Sequence, residues 1–459
     1  MDNTVVNENK AAEIELDQQA TYGGLAGHVW SQWMINVQHR QLEIDDDLYA
    51  CHLRRAGRYS KQREAEIRAT EGEPVYAPLA SMQSISGAAS VSQVVLPAGI
   101  RSWNVKPTPI PELPKESLQL IDMQLQGEAG SISPAPERSG RKEELIKAQF
   151  AMLSEQAKEA AKKMERKIDD QLVDSGFYAT MVEFIEDFAT YPYAVMKRVT
   201  VQEKALQWKD GKPKAVEIVR DVDLRVSPFD IYPSPGMIGV NDGPVIERLR
   251  LRDYELSKHR TNGFRKDAID RILRSSPSGN WLFAWNDALR NSVEDNDLLN
   301  IESDLIDVLR YWGRIRGDTL IRYDVTDGIE PDQYYDTEVW VCGGEVLRVA
   351  RNPHPLDHRP YYKAVWRSIP GQFKGSSPPS QISHLEDVCN ACMRALVRNM
   401  GMASGPQAVI MIDQLPKGAQ EISSLYPMQI HQMVSKPGTT QKPIEFFQPS
   451  SNARELIGV

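Results

Sequence analysis

An α+β fold is what this sequence predicts, and three observations carry it. Residues 141–189 alternate Lys and Glu with Ala, Met and Leu, hold no proline and contain one glycine, Gly176, which is a helical pattern. Residues 193–226 then switch to two strand-like runs on either side of Lys209-Asp-Gly-Lys212, where Asp-Gly is a strong hairpin signal. Residues 305–366 are again rich in strand character, with turn candidates at Asp327-Gly328 and Gly343-Gly344. Helices and strands are segregated rather than alternating as βαβ, so the order does not suggest a doubly wound nucleotide fold.

Taken in order, residues 1–30 read as flexible and 31–75 as helical. Trp30, Trp33, Met34, Val37 and Leu42 recur near the helical period, and Asp45-Asp46-Asp47 suits a solvated helix start better than a cation site. Residues 76–140 read as irregular. Four prolines within the eight positions 107–114 favour an extended strap, and 127–140 a mobile loop. Between Arg141 and Asp170 eight basic residues face seven acidic ones, the mark of a salt-bridged exposed helix rather than a nucleic-acid patch. Beyond Gly176 the apolar residues Phe177, Met181, Phe184, Ile185 and Phe188 are expected to face a core. Pro228, Pro233 and Pro235 end the strand pair. Residues 245–274 read as a second long helix with a break at Gly263. Residues 378–403 read as a third, started by Pro378-Pro379 and closed by Gly405-Pro406. Short strands and turns are expected over 406–447.

Composition narrows the function. The chain has 459 residues, 41% of them hydrophobic and 25% charged, as in a globular protein of two or three domains. No apolar run approaches the roughly 18 residues that span a bilayer, and the polar, acidic start resembles no secretion signal. A cytosol-like compartment and no membrane are therefore expected. Four cysteines are too few for a disulfide scaffold. The net charge of −9 argues against a protein that grips DNA tightly by neutralising phosphates.

Signals for chemistry are weak. Cys389-Asn-Ala-Cys392 has metal-type spacing but no second pair, and reads as helix core. His354 and His358 are separated by Pro355 and do not share a helical face. Gly371-Gln-Phe-Lys-Gly-Ser-Ser377 lacks the Gly-Lys-Ser/Thr order of a phosphate loop and leads into a helix. No catalytic residue, metal ligand or cofactor is expected.

Several segments in sequence order resemble the portal proteins of podovirus-type tailed bacteriophages, over roughly residues 100–450. Lys106–Pro114 resembles their proline-rich strap. Asp187-Phe-Ala-Thr-Tyr-Pro-Tyr-Ala-Val-Met-Lys197 resembles a helix running into the first strand of the wing hairpin. Asp223-Leu-Arg-Val-Ser-Pro-Phe-Asp-Ile-Tyr-Pro233 is similar to the V-x-P-x-D segment that closes that hairpin. Val245–Leu273 matches the first stem helix in position. Gly375-Ser-Ser-Pro378, followed by Gln381–Asn399, resembles the second stem helix, which begins at a glycine-serine turn and carries an asparagine or glutamine followed by an arginine.

The resemblance implies a portal fold assembled as a ring, usually of about twelve subunits in head-to-tail contact. It divides the chain into an N-terminal region and wing (1–240), a first stem helix (241–280), a β-rich clip (281–366), a second stem helix (367–405) and a return to the wing (406–459). Ser450–Val459 reads like the first turns of a tunnel helix, so that helix and the crown are expected to be missing or cut short. The implied role is a non-enzymatic DNA channel at one vertex of the virion capsid, made in the host cytoplasm. Its implied partners are further copies of itself, the terminase large subunit, the head-tail adaptor, the major capsid and scaffolding proteins, and double-stranded DNA held without sequence preference. Basic residues of the first stem helix, Arg252, Lys258 and Arg265, are the candidates for touching DNA backbone. Another ring-forming connector or adaptor is the alternative; a DNA-processing enzyme needs a carboxylate cluster or phosphate loop that the sequence does not display.

Overall fold

The structure is a computed structural model. It describes residues 24–97 except 71, 101–107, 118–119, 121–123, 125, 135–209, 212–275 except 262, 305–404 except 327, 407–410 and 444–447. The elements before the hairpin are α1 (Gly24–Glu43), α2 (Asp45–Ala56), α3 (Lys61–Thr70), α4 (Leu79–Val95), α5 (Ala135–Asp174) and α6 (Phe177–Thr190). The hairpin strands are β1 (Ala194–Lys209) and β2 (Lys212–Val226). There follow β3 (Ile231–Pro233), β4 (Val245–Arg252), α7 (Asp253–Lys258), α8 (Lys266–Ser275), β5 (Leu305–Arg316), α9 (Gly317–Ile321), β6 (Tyr334–Cys342), β7 (Glu345–Arg351) and β8 (Tyr361–Ala364). Last come β9 (Arg367–Ser368), β10 (Gly375–Ser376), α10 (Pro378–Gln381), α11 (Ser383–Ala403), β11 (Gln407–Ile410) and β12 (Ile444–Phe447). The chain is thus mixed α+β, and among the described residues no helix is long and apolar enough to cross a membrane.

The chain forms two compact units, residues 1–49 with 84–377, and residues 50–83 with 378–459. The centre of the first is an antiparallel sheet in the order β3-β4-β5-β6-β7. One face carries α1, whose Leu25, Val29, Trp30, Trp33 and Val37 pack on Tyr232, Ile246, Leu309, Tyr311 and Val339. Residues 24–30 therefore belong to the core rather than to the predicted flexible start, because their apolar positions continue the helical stripe. The other face carries α7 and α8, with Leu256, Phe264, Ile269 and Ile272 on Ile306, Val308, Trp340 and Leu347. Strand β5 is buried on both faces, with Ile306 and Val308 to one side and Leu309, Tyr311 and Ile315 to the other.

The single helix predicted over 245–274 is corrected by this sheet. Val245–Arg252 is a strand paired along its whole length with β5, and only 253–258 and 266–275 are α-helical. The alternation Arg248-Leu249-Arg250-Leu251-Arg252 has a period of two, placing Leu249 and Leu251 on the α8 side. Arg248 meets Asp307 of β5 through two hydrogen bonds of 3.0 and 2.9 Å. The β-rich segment from 305 is thus continuous in one sheet with residues 231–233 and 245–252.

A second correction falls within 76–140, where α4 replaces irregular chain. Its Ala, Ser and Gly content permits close packing. A Cβ on Gly87 would come within 3.2 Å of the Trp366 ring, and Ala88 lies with Ile185 and Ala189 in a small cluster. Helix α5 starts at Ala135, inside the predicted 127–140 loop. The rest of that loop, the proline strap from 108 onward, residues 1–23 and 281–304, and the tunnel-helix segment 450–459 lie outside the described residues.

The predicted helix break and hairpin are both present. Gly176, at φ +74°, separates α5 from α6, a left-handed conformation that favours glycine. β1 and β2 pair from Val195↔Val226 out to Lys209↔Lys212. Only Ala194–Lys197 also pairs with β8, so beyond its root the hairpin is a two-stranded ribbon. The predicted Gly343-Gly344 turn joins β6 to β7 with both φ positive.

Candidate functional site

Arg252, Lys258 and Arg265 do not share a helix. Arg252 ends β4, and its backbone N–H donates to the Glu255 carboxylate at 2.8 Å, capping α7. Lys258 ends α7 with its Nζ 5.8 Å from the Tyr254 ring centroid. Arg265 precedes α8, and its backbone N–H donates to the Leu347 carbonyl at 2.8 Å. All three side chains are exposed, and Arg265 lines a cavity.

That cavity, of about 640 Å³, opens in the first unit between the first turn of α1, the loop before α8, the end of β5, α9 and the start of β6. Arg265, Arg314, Arg316 and Arg322 line it, with Asp324 as the lining carboxylate and His28 at one side. Arg314 and Arg316 share a face of β5 because they are two apart in a strand. Arg316 is already engaged by Asp332 at 2.8 Å and Asp318 at 3.7 Å. Burial pushes the His28 imidazole below its ordinary value, favouring the neutral ring. Sequence reasoning found Arg265 but missed Arg314 and Arg322; the Arg-x-Arg spacing of 314 and 316 in a strand was the available signal.

At the ribbon's root a second polar constellation is closed to solvent. Lys197 of β1 meets Glu247 of β4, which also accepts from the Tyr361 hydroxyl of β8 at 2.6 Å. Arg310 of β5 lies 3.6 Å from Glu247 and donates to Glu338 of β6 at 2.7 Å. Its guanidinium stands 5.4 to 5.7 Å from the ring centroids of Trp340, Trp312 and Tyr361. Burial alone raises the Glu247 carboxyl, but Lys197 and Arg310 outweigh it and hold it below the usual range. The same opposition, with Arg310 and Arg348 prevailing over burial, lowers Glu338. Burial also lowers the Lys197 ammonium, which alone favours the neutral amine; the carboxylate held by two cations and a hydroxyl keeps the pair ionised. This cluster fastens the hairpin to the sheet. Because both carboxyls titrate lower in the folded state, their stabilisation is complete above the ordinary value of 4.5 and is lost as pH falls below it. The midpoint of denaturant unfolding followed by tryptophan fluorescence is expected to fall on acidification through that window, and Glu338→Gln to flatten the pH dependence.

Other motifs are accounted for by structure. Asp45, from the acidic triplet, is not solvated as predicted: it is 3% exposed and accepts from the buried Arg40 Nε at 2.6 Å. Arg40 also donates to the carbonyls of Phe229 and Ile231 at 2.7 and 2.8 Å, holding the Pro-Phe-Asp-Ile-Tyr-Pro segment. Arg225 grips Asp187 with two hydrogen bonds of 2.5 and 2.7 Å, and Arg198 grips Asp223 at 2.8 and 2.7 Å. Lys374, in the phosphate-loop-like segment, meets Asp47 at 2.6 Å. Among the described residues no group of three His, Cys, Asp or Glu side chains is placed to hold a metal ion.

In the second unit α11 is inverted. Its buried face is polar, made of Glu386, Asn390 and Arg394 at four-residue spacing. Glu386 accepts from Arg54 at 2.9 Å and from the Ala80 N–H at 3.0 Å, and Asn390 accepts from the Ala77 N–H at 2.7 Å. Arg394 bonds to the Tyr59 hydroxyl. Large apolar side chains of the same helix are nevertheless open to solvent: Leu385, Val388, Met393, Val397 and Met400 are 40–62% exposed. Cys389 and Cys392 are half-buried rather than in a core, because the inward face belongs to the polar residues.

Neither a family model nor a curated protein matches this chain.

Proposed function

We propose that this chain is a subunit of the ring-shaped portal at one vertex of a tailed-phage capsid. The ring forms the channel for double-stranded DNA, docks the packaging terminase and later receives the head-tail adaptor. The observation that carries this reading is the inverted helix α11. Its buried positions are polar and satisfied within the unit, while Leu385, Val388, Met393, Val397 and Met400 stand exposed to water. Several large apolar side chains left exposed on one helix mark a protein contact. Repeated head-to-tail between identical subunits, such a contact closes a ring. The two-stranded ribbon adds support, since it carries Trp208, 76% exposed, at its far end. So does the cross-bonding of Asp187 with Arg225, which unites the two segments that resemble the start and close of a portal wing hairpin. The acidic net charge suits a channel through which DNA slides.

Strand β4 favours a second reading, another ring-forming head-tail connector or adaptor, because a portal stem brackets its β-rich insert between two helices and Val245–Arg252 is not helical. Electron microscopy of the purified protein tests both. A hollow ring of about twelve subunits viewed down its axis is the expected result. Persistent monomers or dimers over a range of salt concentrations overturn both readings. Co-sedimentation of the ring with the terminase large subunit distinguishes a portal from an adaptor, which does not meet the motor.

A further inference from the structure

We propose that the arginine-lined cavity of the first unit is a binding site for a multiply charged phosphate group. The inference does not depend on the ring reading, because the cavity is built within one unit of one chain. Four arginines, Arg265, Arg314, Arg316 and Arg322, line a space of about 640 Å³ with one lining carboxylate, Asp324. Arginines at a protein surface normally find carboxylates, and in this chain acidic residues outnumber basic ones, 63 against 54. Arg316 follows that rule through Asp332 and Asp318. Arg314 and Arg322 do not: among the described residues neither forms an ion pair or a side-chain hydrogen bond. Arg265 forms none either, although its charge reaches Glu345 and helps lower that carboxyl, behind the larger effect of the Arg271 hydrogen bond.

Like charges held together with fewer counter-charges than cations repel one another, so the arrangement is favoured when an anion joins it. The guanidinium fork matches phosphate oxygens two at a time, which makes arginine clusters suited to phosphate rather than to a lone carboxylate. The volume falls within the roughly 300–1,000 Å³ of small-molecule sites. It takes a di- or triphosphate group whole and is far too small for a duplex, of which it would take only a backbone phosphate. Tyr323 and Tyr334 also line the cavity, so an aromatic side chain is at hand for whatever the phosphate is attached to. The phosphate source is therefore either a free polyphosphate compound or nucleic-acid backbone.

The test is equilibrium binding to the purified full chain at low ionic strength without divalent cations, with inorganic tripolyphosphate and a short double-stranded oligonucleotide as separate probes. The expected result is tripolyphosphate binding that weakens by about tenfold or more in the Arg314→Ala/Arg322→Ala variant and is largely kept in Arg314→Lys/Arg322→Lys. Arg63→Ala/Arg68→Ala, which removes two exposed arginines elsewhere, serves as the charge-matched control and leaves binding unchanged. Binding of the oligonucleotide alone, with the same dependence on Arg314 and Arg322, supports the site and identifies backbone phosphate as its ligand. Absence of binding by both probes overturns the proposal, as does equal weakening by Arg63→Ala/Arg68→Ala, which indicates a diffuse charge effect. All the substituted residues are exposed, and an unchanged thermal midpoint checks that each variant is folded.

Discussion

Replacing Arg310 with methionine is expected to destabilise the first unit by about 3–5 kcal/mol, the cost of breaking a buried ion pair from one side. Arg310 is 5% exposed and is the cation common to Glu247 and Glu338. Without it Glu247 keeps Lys197 and the Tyr361 hydroxyl, but Glu338 keeps only Arg348, 3.7 Å away, and the Trp340 indole N–H at 2.8 Å. A carboxylate so poorly compensated inside the sheet either stays charged at high cost or takes up a proton. The loss is read in a urea titration followed by tryptophan fluorescence, for which Trp312 and Trp340 beside the guanidinium are native reporters. Adding Glu338→Gln is expected to recover part of the loss, since it removes the stranded charge. A shift of less than about 1 kcal/mol for the single variant contradicts the role assigned to Arg310, because that is the scale of an exposed pair.

The second large effect is expected on assembly. In the Val388→Asp/Met393→Asp variant two exposed apolar positions of α11 become carboxylates in every subunit. If these positions lie in the contact between neighbours, each junction must bury charge without a partner, at several kcal/mol per group. Complete loss of rings is expected, seen as a collapse of the light-scattering mass to that of the 51.8 kDa chain. Both residues are exposed in the subunit, 52% and 40%, so its circular dichroism spectrum is expected to be unchanged. Rings that persist in this variant remove α11 from the interface. The Arg310 and α11 variants therefore separate stability of the subunit from cohesion of the assembly.

The polar inward face of α11 also bears on how the sequence is read. Periodicity finds the helix from Pro378 onward, and the structure has it. Periodicity does not say which face turns inward. The apolar side is the natural choice for a core, yet Glu386, Asn390 and Arg394 take that place because Arg54, the Ala77 and Ala80 N–H groups and Tyr59 supply their partners. Those partners lie more than three hundred residues away in the chain, so no local pattern announces them.

The sequence by itself determined the α+β class, the long charged helix with its break at Gly176, the hairpin about residues 209–212, the β-rich segment after 305 and the helix that follows Pro378. Each rests on a signal contained within a few residues or turns: charge spacing, a glycine, an Asp-Gly pair, alternation, proline placement. The Arg-Leu alternation of 248–252 was a local strand signal of only five residues, set within a longer helix-like stretch; the tertiary structure decided for the strand, because β5, some sixty residues later, offers a ladder and Asp307 a counter-charge. Only the tertiary structure gathered Arg265, Arg314 and Arg322 around one cavity, because a loop before one helix, the end of a strand and a short helix meet there. The dividing line is physical: backbone preference acts over a few residues, whereas burial and charge pairing act between neighbours in space wherever they stand in the chain.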